Sequence, residues 1–200
     1  MAPGTRAPIE QVCVYCASSD HCPEVFLDAA FAVGQALAAA GKVVRYGGGD
    51  GGLMGKVADG ALATGGRVVG VLPRFMQERE WAHTGLTELH LVETMHERKA
   101  MMLEQADACV VLPGGVGTFD ELFEALSWKK LGIWTGPLAF LNTDGFWDPA
   151  VALLERAVEV RFMQERHRDL WVVVERPDQL VAALDSAPPW DADAIDFARI

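Results

Sequence analysis

The sequence has no apolar run that approaches the roughly 20 residues needed to span a bilayer. Residues 1–8 are rich in Pro, Gly and Ala, and they lack the apolar core of a secretory signal. We therefore expect a soluble, cytoplasmic protein that does not act at a membrane.

Basic residues are also scarce in this chain. The 200 residues include 17 Lys and Arg against 28 Asp and Glu, which gives a formal net charge of −11. A molecule with this charge repels nucleic acids and anionic membranes as a whole, so we expect neither as a partner. A local basic pocket is still compatible with this composition.

Cysteine is sparse too, with four in the chain. Cys13 and Cys16 form a C-x-x-C, but they fall in an apolar run typical of a strand, where odd spacing places them on opposite faces. No second cysteine pair or nearby histidine cluster completes a zinc site. We therefore expect structural thiols and no metal centre.

What the sequence does contain is a regular alternation of apolar runs with helix-sized stretches. The runs predicted as strands are 11–16, 43–46, 67–72, 89–92, 109–112, 137–141 and 171–174. The predicted helices are 23–40, 52–63, 97–106, 120–131, 149–160 and 177–184. This alternation predicts an α/β fold, a doubly wound parallel sheet of seven strands with helices on both faces and ligands at the carboxyl ends of the strands. We expect a short N-terminus (1–10), one domain (11–185) and a C-terminal extension (186–200).

A glycine-rich turn follows the fifth predicted strand, within residues 113–121. Gly114, Gly115 and Gly117 lack the Cβ atoms that would hold a ligand away from the backbone, and they permit positive φ. Main-chain N–H groups in such a turn, with the positive end of a helix dipole behind them, form a site for a phosphate or another anion. Thr118 adds a hydroxyl.

Glu121 is unexpected in this turn, because a carboxylate one turn into a phosphate-binding helix repels the anion. One interpretation is that Glu121 is present for chemistry. The other is that Thr118 and Glu121 form a capping box, in which the glutamate reaches back to the amide at the start of the helix. The spacing alone favours the capping box.

A second glycine cluster, residues 46–55, follows the second predicted strand and includes Gly48 and Gly49. We expect it to bind an anion or a sugar. It fits the dinucleotide fingerprint only formally, because the acid expected about 20 residues further on is replaced by Leu72 and Pro73. A tight turn that only allows close helix packing is the alternative.

Two cations, Arg98 and Lys99, fall in the first turn of the third predicted helix, 97–106. Cations at this end of a helix oppose its dipole. Their position favours pairing with a carboxylate or a phosphate. A solvated, charged helix face is the alternative interpretation.

Together these stretches resemble one family, the cytokinin-activating Lonely guy phosphoribohydrolases, whose members were long labelled lysine decarboxylases. The resemblance is carried by Pro-Gly-Gly-Val-Gly-Thr-x-x-Glu at 113–121 together with Met-x-x-Arg-Lys at 95–99. It extends from about residue 11 to residue 184 and includes 46–55 and 78–80.

The resemblance implies a Rossmann-like, nucleotide-binding catalytic domain that acts as an N-glycosidase. The implied reaction cleaves the N-glycosidic bond of a cytokinin riboside 5′-monophosphate, or of AMP, to give the free base and ribose 5-phosphate. It also implies a homodimer and no cofactor or metal. Apolar positions on the predicted helix at 120–131 and just before it agree with a dimer; they are Phe119, Leu122, Phe123, Leu126 and Trp128.

By position in the family motif, Arg98 and Glu121 correspond to the catalytic pair. A carboxylate beside C1′ would stabilise an oxocarbenium-like cation or orient the attacking water, and Arg98 would hold that carboxylate ionised and aimed. The positions implied to bind substrate are Gly48, Gly49, Glu80, Lys99, Gly114, Gly115, Val116, Gly117, Thr118, Phe119, Asp120 and Ser127.

The chain also departs from the family pattern. Ala17 stands where the first loop usually has Gly, Ser127 replaces the usual Thr, and positions 130, 134 and 136 lack the common Gln, His and Lys. These changes affect expectations about the preferred base. Two other functions are a non-catalytic nucleotide or molybdenum-cofactor carrier on the same fold, and the decarboxylase of the old label. The decarboxylase is disfavoured because no lysine has the context of a pyridoxal phosphate site.

Overall fold

Seven parallel strands form the centre of the protein, in a computed structural model that describes residues 7–79 and 81–198. The strands are β1 (Gln11–Tyr15), β2 (Val43–Tyr46), β3 (Val68–Pro73), β4 (Glu88–Val92), β5 (Ala108–Val111), β6 (Leu138–Leu141) and β7 (Val172–Val174). Their order in the sheet is β4-β3-β2-β1-β5-β6-β7. All seven predicted strands and the doubly wound α/β fold are confirmed.

Helices connect the strands and cover both faces of the sheet. They are α1 (Glu24–Ala39), α2 (Gly52–Ala63), α3 (Arg74–Gln77), α4 (Met95–Glu104), α5 (Val116–Lys130), α6 (Asp148–Glu159), α7 (Leu180–Ser186) and α8 (Ile195–Ala198). The six predicted helices are present, and the short α3 and α8 were not predicted. Among the residues that the structure describes, no helix combines the length and apolar character needed to cross a bilayer.

The chain reverses its direction of winding between β1 and β5, which are neighbours at the middle of the sheet. In doubly wound sheets this switch point opens a crevice at the carboxyl ends of the strands, where ligands bind. The loops after β1 and β5 therefore frame the expected site. The second of these loops contains the glycine-rich turn.

Two apolar layers, one on each face, bury the sheet. Residues of α1, α2 and α7 pack with Val12, Val14 and Cys16 on one face. Residues of α4, α5 and α6 pack with Cys13 and Tyr15 on the other. The strands are apolar almost throughout because both of their faces are covered.

The cysteines follow the predicted pattern. Cys13 and Cys16 contribute to opposite layers of the core, as the odd spacing predicted. All four cysteines are free thiols, with Cys13, Cys16 and Cys109 buried and Cys22 half-buried.

Helices α1 and α2 approach each other closely enough to require glycine at the contact. A Cβ added to Gly34 would lie 2.1 Å from the carbonyl oxygen of Val57, and one added to Gly60 would lie 2.0 Å from that of Phe31. This close packing fixes α2, and with it the glycine cluster that precedes α2.

The C-terminal segment after α7 packs back onto the domain. Ala194 is fully buried, and the Trp190 ring lies 6.0 Å from the imidazole of His167. The backbone also passes close to Gly132, where an added Cβ would lie 2.3 Å from the carbonyl oxygen of Ala192.

Candidate active site

A cleft opens at the carboxyl ends of β1, β2, β3 and β5. It consists of two adjoining cavities of about 360 and 410 Å³, which share Ser18, Met54, Met76 and Arg98. One cavity is bordered by the glycine cluster after β2 and the other by the glycine-rich turn before α5. The sheet thus brings the three sequence stretches that predicted function to one place.

Helix α5 begins earlier than the sequence predicted, at Val116. Its first turn has Gly115 as the N-cap, in an extended conformation, and no side chain caps the helix. Thr118 and Glu121 lie inside the helix, so the prediction that they form a capping box is wrong. Thr118 instead packs beneath the turn, since a Cβ on Gly114 would lie 2.1 Å from its hydroxyl oxygen.

The glycines of the two turns differ in why they are needed. Gly114, Gly115 and Gly117 permit positive φ, but none of them adopts it. Positive φ occurs instead in the second cluster, at Gly48 (77°) and Gly52 (57°). At Gly115 and Gly117 a Cβ would meet no atom within 4 Å, so these two glycines leave open space at the N-terminus of α5.

Glu121 is a buried carboxyl group that faces the cleft. It is 6% exposed and lines the cavity beside the turn. Its carboxylate forms no hydrogen bond or ion pair with any residue that the structure describes. Burial raises the pKa of Glu121 to about 7, because desolvation outweighs the lowering effect of the Arg98 cation. Glu121 therefore changes charge near neutral pH.

Arg98 is buried on the wall that the two cavities share. Its Nε donates to the carbonyl oxygen of Val71 at 3.1 Å, and its Nη2 donates to that of Gly47 at 2.8 Å. A Cβ on Gly47 would lie 2.0 Å from Nη2, so only glycine leaves room for the guanidinium. Arg98 acts on Glu121 through space and not through a hydrogen bond.

Lys99 does not line the cleft, and it joins α4 to α5. Its ammonium lies 2.9 Å from Asp120 Oδ2 and 2.7 Å from Glu124 Oε2. Burial lowers the pKa of Lys99, but the two carboxylates outweigh this effect and raise the pKa overall. Arg98 and Lys99 are 5% and 6% exposed, so the alternative of a solvated, charged helix face is wrong. The predicted pairing with carboxylates is confirmed for Lys99.

The start of α4 shows why two cations are tolerated there. The hydroxyl of Thr94 accepts from the Glu97 amide, and the Glu97 carboxylate accepts from the Thr94 amide. This capping box was not identified from the sequence. It provides acceptors for the free N–H groups at the start of the helix and supplies a negative charge at the helix N-terminus.

The structure brings together about half of the residues predicted to bind substrate. Those that line the cleft are Gly49, Gly115, Val116, Gly117, Thr118 and Asp120. Those outside it are Gly48, Lys99, Gly114, Phe119 and Ser127. Ser127 is on the exposed face of α5, where its hydroxyl donates to the carbonyl of Phe123. Glu80 lies outside the described residues. The substrate-binding roles themselves stay predictions.

Sequence reasoning missed several residues of the cleft. The apolar part of the wall comes from Met54, Leu72, Met76 and Trp81, and Ser18 lies between the cavities. Ser18 follows β1 at the switch point, and that position was a usable signal. Trp81 and Met76 carried none, because Trp81 lies on a connecting loop and Met76 lies in α3, whose four residues are too few to show a periodic pattern.

The cleft also contains a thiol, Cys16, and no arrangement for a metal. Burial raises the pKa of the Cys16 thiol well above its usual range, so the thiol is neutral. Within the described part of the chain, no group of three or more His, Cys, Asp or Glu side chains is arranged to hold a metal ion.

Solved structures of a molybdenum cofactor carrier protein and of a molybdenum cofactor binding protein share the fold. The molybdenum cofactor carrier protein of Chlamydomonas reinhardtii superposes with a TM-score of 0.69 at 20% identity, over 90% of this chain and 98% of that one. The molybdenum cofactor binding protein of Rippkaea orientalis gives a TM-score of 0.68 at 20% identity, over 90% and 97%. At this identity the likeness shows the fold alone.

Sequence comparison is more specific. A family model described as "Possible lysine decarboxylase" matches residues 54–184. A cytokinin riboside 5′-monophosphate phosphoribohydrolase of Arabidopsis thaliana is 36% identical over 191 residues, which are 96% of this chain and 90% of that protein. One from Oryza sativa subsp. japonica, named as probable, is 38% identical over 185 residues, 92% of this chain and 75% of that protein. The chain therefore belongs to the Lonely guy family, the family of the cytokinin riboside 5′-monophosphate phosphoribohydrolases.

Proposed function

We propose that this protein is a phosphoribohydrolase that cleaves the N-glycosidic bond of a nucleoside 5′-monophosphate, releasing the base and ribose 5-phosphate. The substrates that we propose are cytokinin riboside 5′-monophosphates and AMP. The observation that carries the proposal is the cleft, in which the buried carboxyl of Glu121 lies in the same cavity as Arg98 and the N-terminus of α5.

Glu121 is proposed as the catalytic carboxylate. Cleavage of an N-glycosidic bond develops positive charge on the ribose ring, and a carboxylate in a site of low dielectric stabilises such a charge strongly. With a pKa of about 7, the group is partly ionised at neutral pH. The same pKa suits a general base that orients and deprotonates the attacking water.

Arg98 is proposed as the second catalytic residue. Two hydrogen bonds to backbone carbonyls fix its guanidinium without neutralising its charge. Its cation lowers the pKa of Glu121 and so opposes the effect of burial. A positive charge held in this way also attracts the substrate phosphate before the reaction.

The substrate phosphate is proposed to bind at the start of α5. Gly115 and Gly117 leave open space there, and the first N–H groups of a helix of 15 residues have no intrahelical acceptor. Asp120 also lines this cavity, but its charge is offset by Lys99. The apolar wall formed by Met54, Leu72, Met76 and Trp81 suits a planar base.

The test is base release from AMP and from adenosine at equal concentrations. We predict that kcat/KM for adenosine is lower by several orders of magnitude, because each charge-assisted phosphate contact contributes roughly 1.5–3 kcal/mol. Chromatography of the released adenine measures both rates. Equal rates would contradict the phosphate site, and binding of AMP without any release of adenine would support a carrier instead.

We further propose that the protein is a cytoplasmic homodimer. Four apolar side chains on and near α5 support a subunit interface: Val116 is 82% exposed, Ile133 64%, Phe123 41% and Phe119 37%. Phe119 and Phe123 are four residues apart on α5 and so lie on one face of the helix. Adjoining exposed apolar side chains of this kind are typical of protein–protein contacts. The four free thiols agree with a reducing compartment.

A further inference from the structure

A separate cavity of about 300 Å³ opens at the other edge of the sheet. Its walls include Gln11, Val43 and Glu88, which are the first residues of β1, β2 and β4. Because all strands are parallel, these amino ends lie opposite the carboxyl ends that form the cleft. The two sites have no lining residue in common.

Arg45 is the residue that distinguishes this cavity. Its side chain lines the cavity but is only 4% exposed, and in the sheet it lies between Cys13 and Val69. Its Nη2 donates to Gln11 Oε1 at 2.8 Å. Its Nε and Nη1 are buried and have no hydrogen-bond partner among the described residues.

No carboxylate of the described residues forms an ion pair with Arg45. Glu88 is the nearby acid, but its Oε1 lies 2.8 Å from His90 Nε2 and its Oε2 lies 4.0 Å from Arg67 Nη2. The side chain of Glu10 is exposed on the rim of the cavity. Glu88 therefore acts on the guanidinium only through space and forms no ion pair with it. A buried cation without a direct partner is costly unless an anion compensates it.

We propose that this cavity binds a small oxyanion, a phosphate or a carboxylate group, with Arg45 as its principal ligand. An oxyanion supplies several acceptors, which the unpaired nitrogens of Arg45 require. Arg67, which also lines the cavity, adds further donors. The volume is at the lower end of the range for ligand pockets, so it suits a small metabolite that carries the anion.

The experiment compares the thermal unfolding midpoint in sodium phosphate with that in sodium chloride at equal ionic strength and pH 7.5. A ligand that binds only the native state raises this midpoint. We expect the phosphate-induced rise to be several degrees smaller in Arg45→Met than in the wild type. The catalytic cleft is the same in both proteins, so the difference between the two rises isolates the cavity.

Two further variants complete the experiment. Arg156→Met removes a cation whose side chain is 67% exposed and which pairs with Glu159, and it should keep the wild-type rise. Glu10→Gln removes the negative charge at the rim, and phosphate should therefore raise its unfolding midpoint more than that of the wild type. This variant tests the site even if Arg45→Met does not fold. Replacing phosphate with malonate at the same ionic strength identifies the anion: a larger rise with malonate indicates a carboxylate ligand.

Two results would overturn the proposal. One is that phosphate raises the unfolding midpoint of Arg45→Met as much as it raises those of the wild type and Arg156→Met, and that malonate also raises all three equally. The other is a Glu10→Gln variant whose rise does not exceed that of the wild type. Either result would mean that Arg45 is a structural residue that binds no anion.

Discussion

The carboxyl of Glu121 determines much of the pH behaviour expected of this protein. Its pKa is raised from 4.5 in the unfolded chain to about 7 in the native state. A carboxyl group with a raised native pKa stabilises the fold fully below the unfolded pKa, and this contribution is lost as the pH rises through about 7. The native protein therefore bears a cost at pH 8 for ionising a buried carboxyl group.

Glu121→Gln should separate the chemical role of this residue from its effect on stability. We expect the variant to lose most of its turnover, yet to be more stable than the wild type at pH 8 by about 1–3 kcal/mol, because no buried charge forms. The stability gain should shrink as the pH falls toward 5. Urea unfolding at both pH values measures it.

The matched control for this prediction is Glu104→Gln, the same chemical change at an exposed position of α4. It should change neither turnover nor the pH dependence of stability. Near wild-type turnover in Glu121→Gln would remove Glu121 from the mechanism.

Gly47 provides a second test at the level of single residues. A Cβ at this position would lie 2.0 Å from Arg98 Nη2, which is the end of a flexible side chain. Gly47→Ala should therefore move the guanidinium and weaken its hydrogen bond to the Gly47 carbonyl, at a cost of about 1–3 kcal/mol in stability. The kcat for AMP should fall on the order of 100-fold. Steady-state kinetics and thermal unfolding measure the two effects.

A double-mutant cycle shows whether the effect of Gly47→Ala acts through Arg98. If it does, the variant that combines Gly47→Ala with Arg98→Ala should be no slower than Arg98→Ala alone. Fully additive losses would mean that Gly47 contributes to catalysis in another way.

At the level of secondary-structure elements, Lys99 joins α4 to α5. Lys99→Met would leave Asp120 and Glu124 without their cation. We expect a loss of about 1–2 kcal/mol of stability, a modest value because the Asp120 side chain is 59% exposed. The same change removes a cation that lowers the pKa of Glu121, and the pKa of Glu121 should therefore rise further.

The kinetic consequence of Lys99→Met is a shift in the pH profile. In the wild type, kcat/KM for AMP should decrease as the pH is lowered through about 7, because Glu121 becomes protonated. In the variant this acidic limb should move to higher pH. Lys56→Met, at an exposed position of α2, is the matched control and should leave the profile unchanged. An unshifted limb in Lys99→Met would show that the limb belongs to another group.

At the level of the whole molecule, the dimer is tested through Phe123, whose side chain is 41% exposed on α5. Sedimentation of the wild type should give twice the chain mass of 21.7 kDa, and Phe123→Glu should give the chain mass, because a charge in an apolar interface is costly. Phe162→Glu replaces a side chain that is 77% exposed and should leave the dimer intact. A wild type that sediments only as a monomer would contradict the proposal.

The sequence alone determined the elements and the general location of the site. Fully apolar runs separated by helical stretches predict parallel strands covered on both faces, and all seven strands formed where expected. The glycine turns and Arg98 were identifiable because they combine unusual residue types with the start of a helix. These signals are local, since hydrophobic periodicity and backbone freedom depend on neighbouring residues in the chain.

Only the tertiary structure decided the charges, pKa values and ion pairs of the site. The burial of Glu121, the two carbonyls that hold Arg98 and the pairing of Lys99 with α5 involve residues from different strands and helices. A pKa depends on desolvation and on nearby charges, which are set by residues distant in sequence. The unpaired guanidinium of Arg45 is hidden for the same reason, because in the sequence it is one polar residue within an apolar strand.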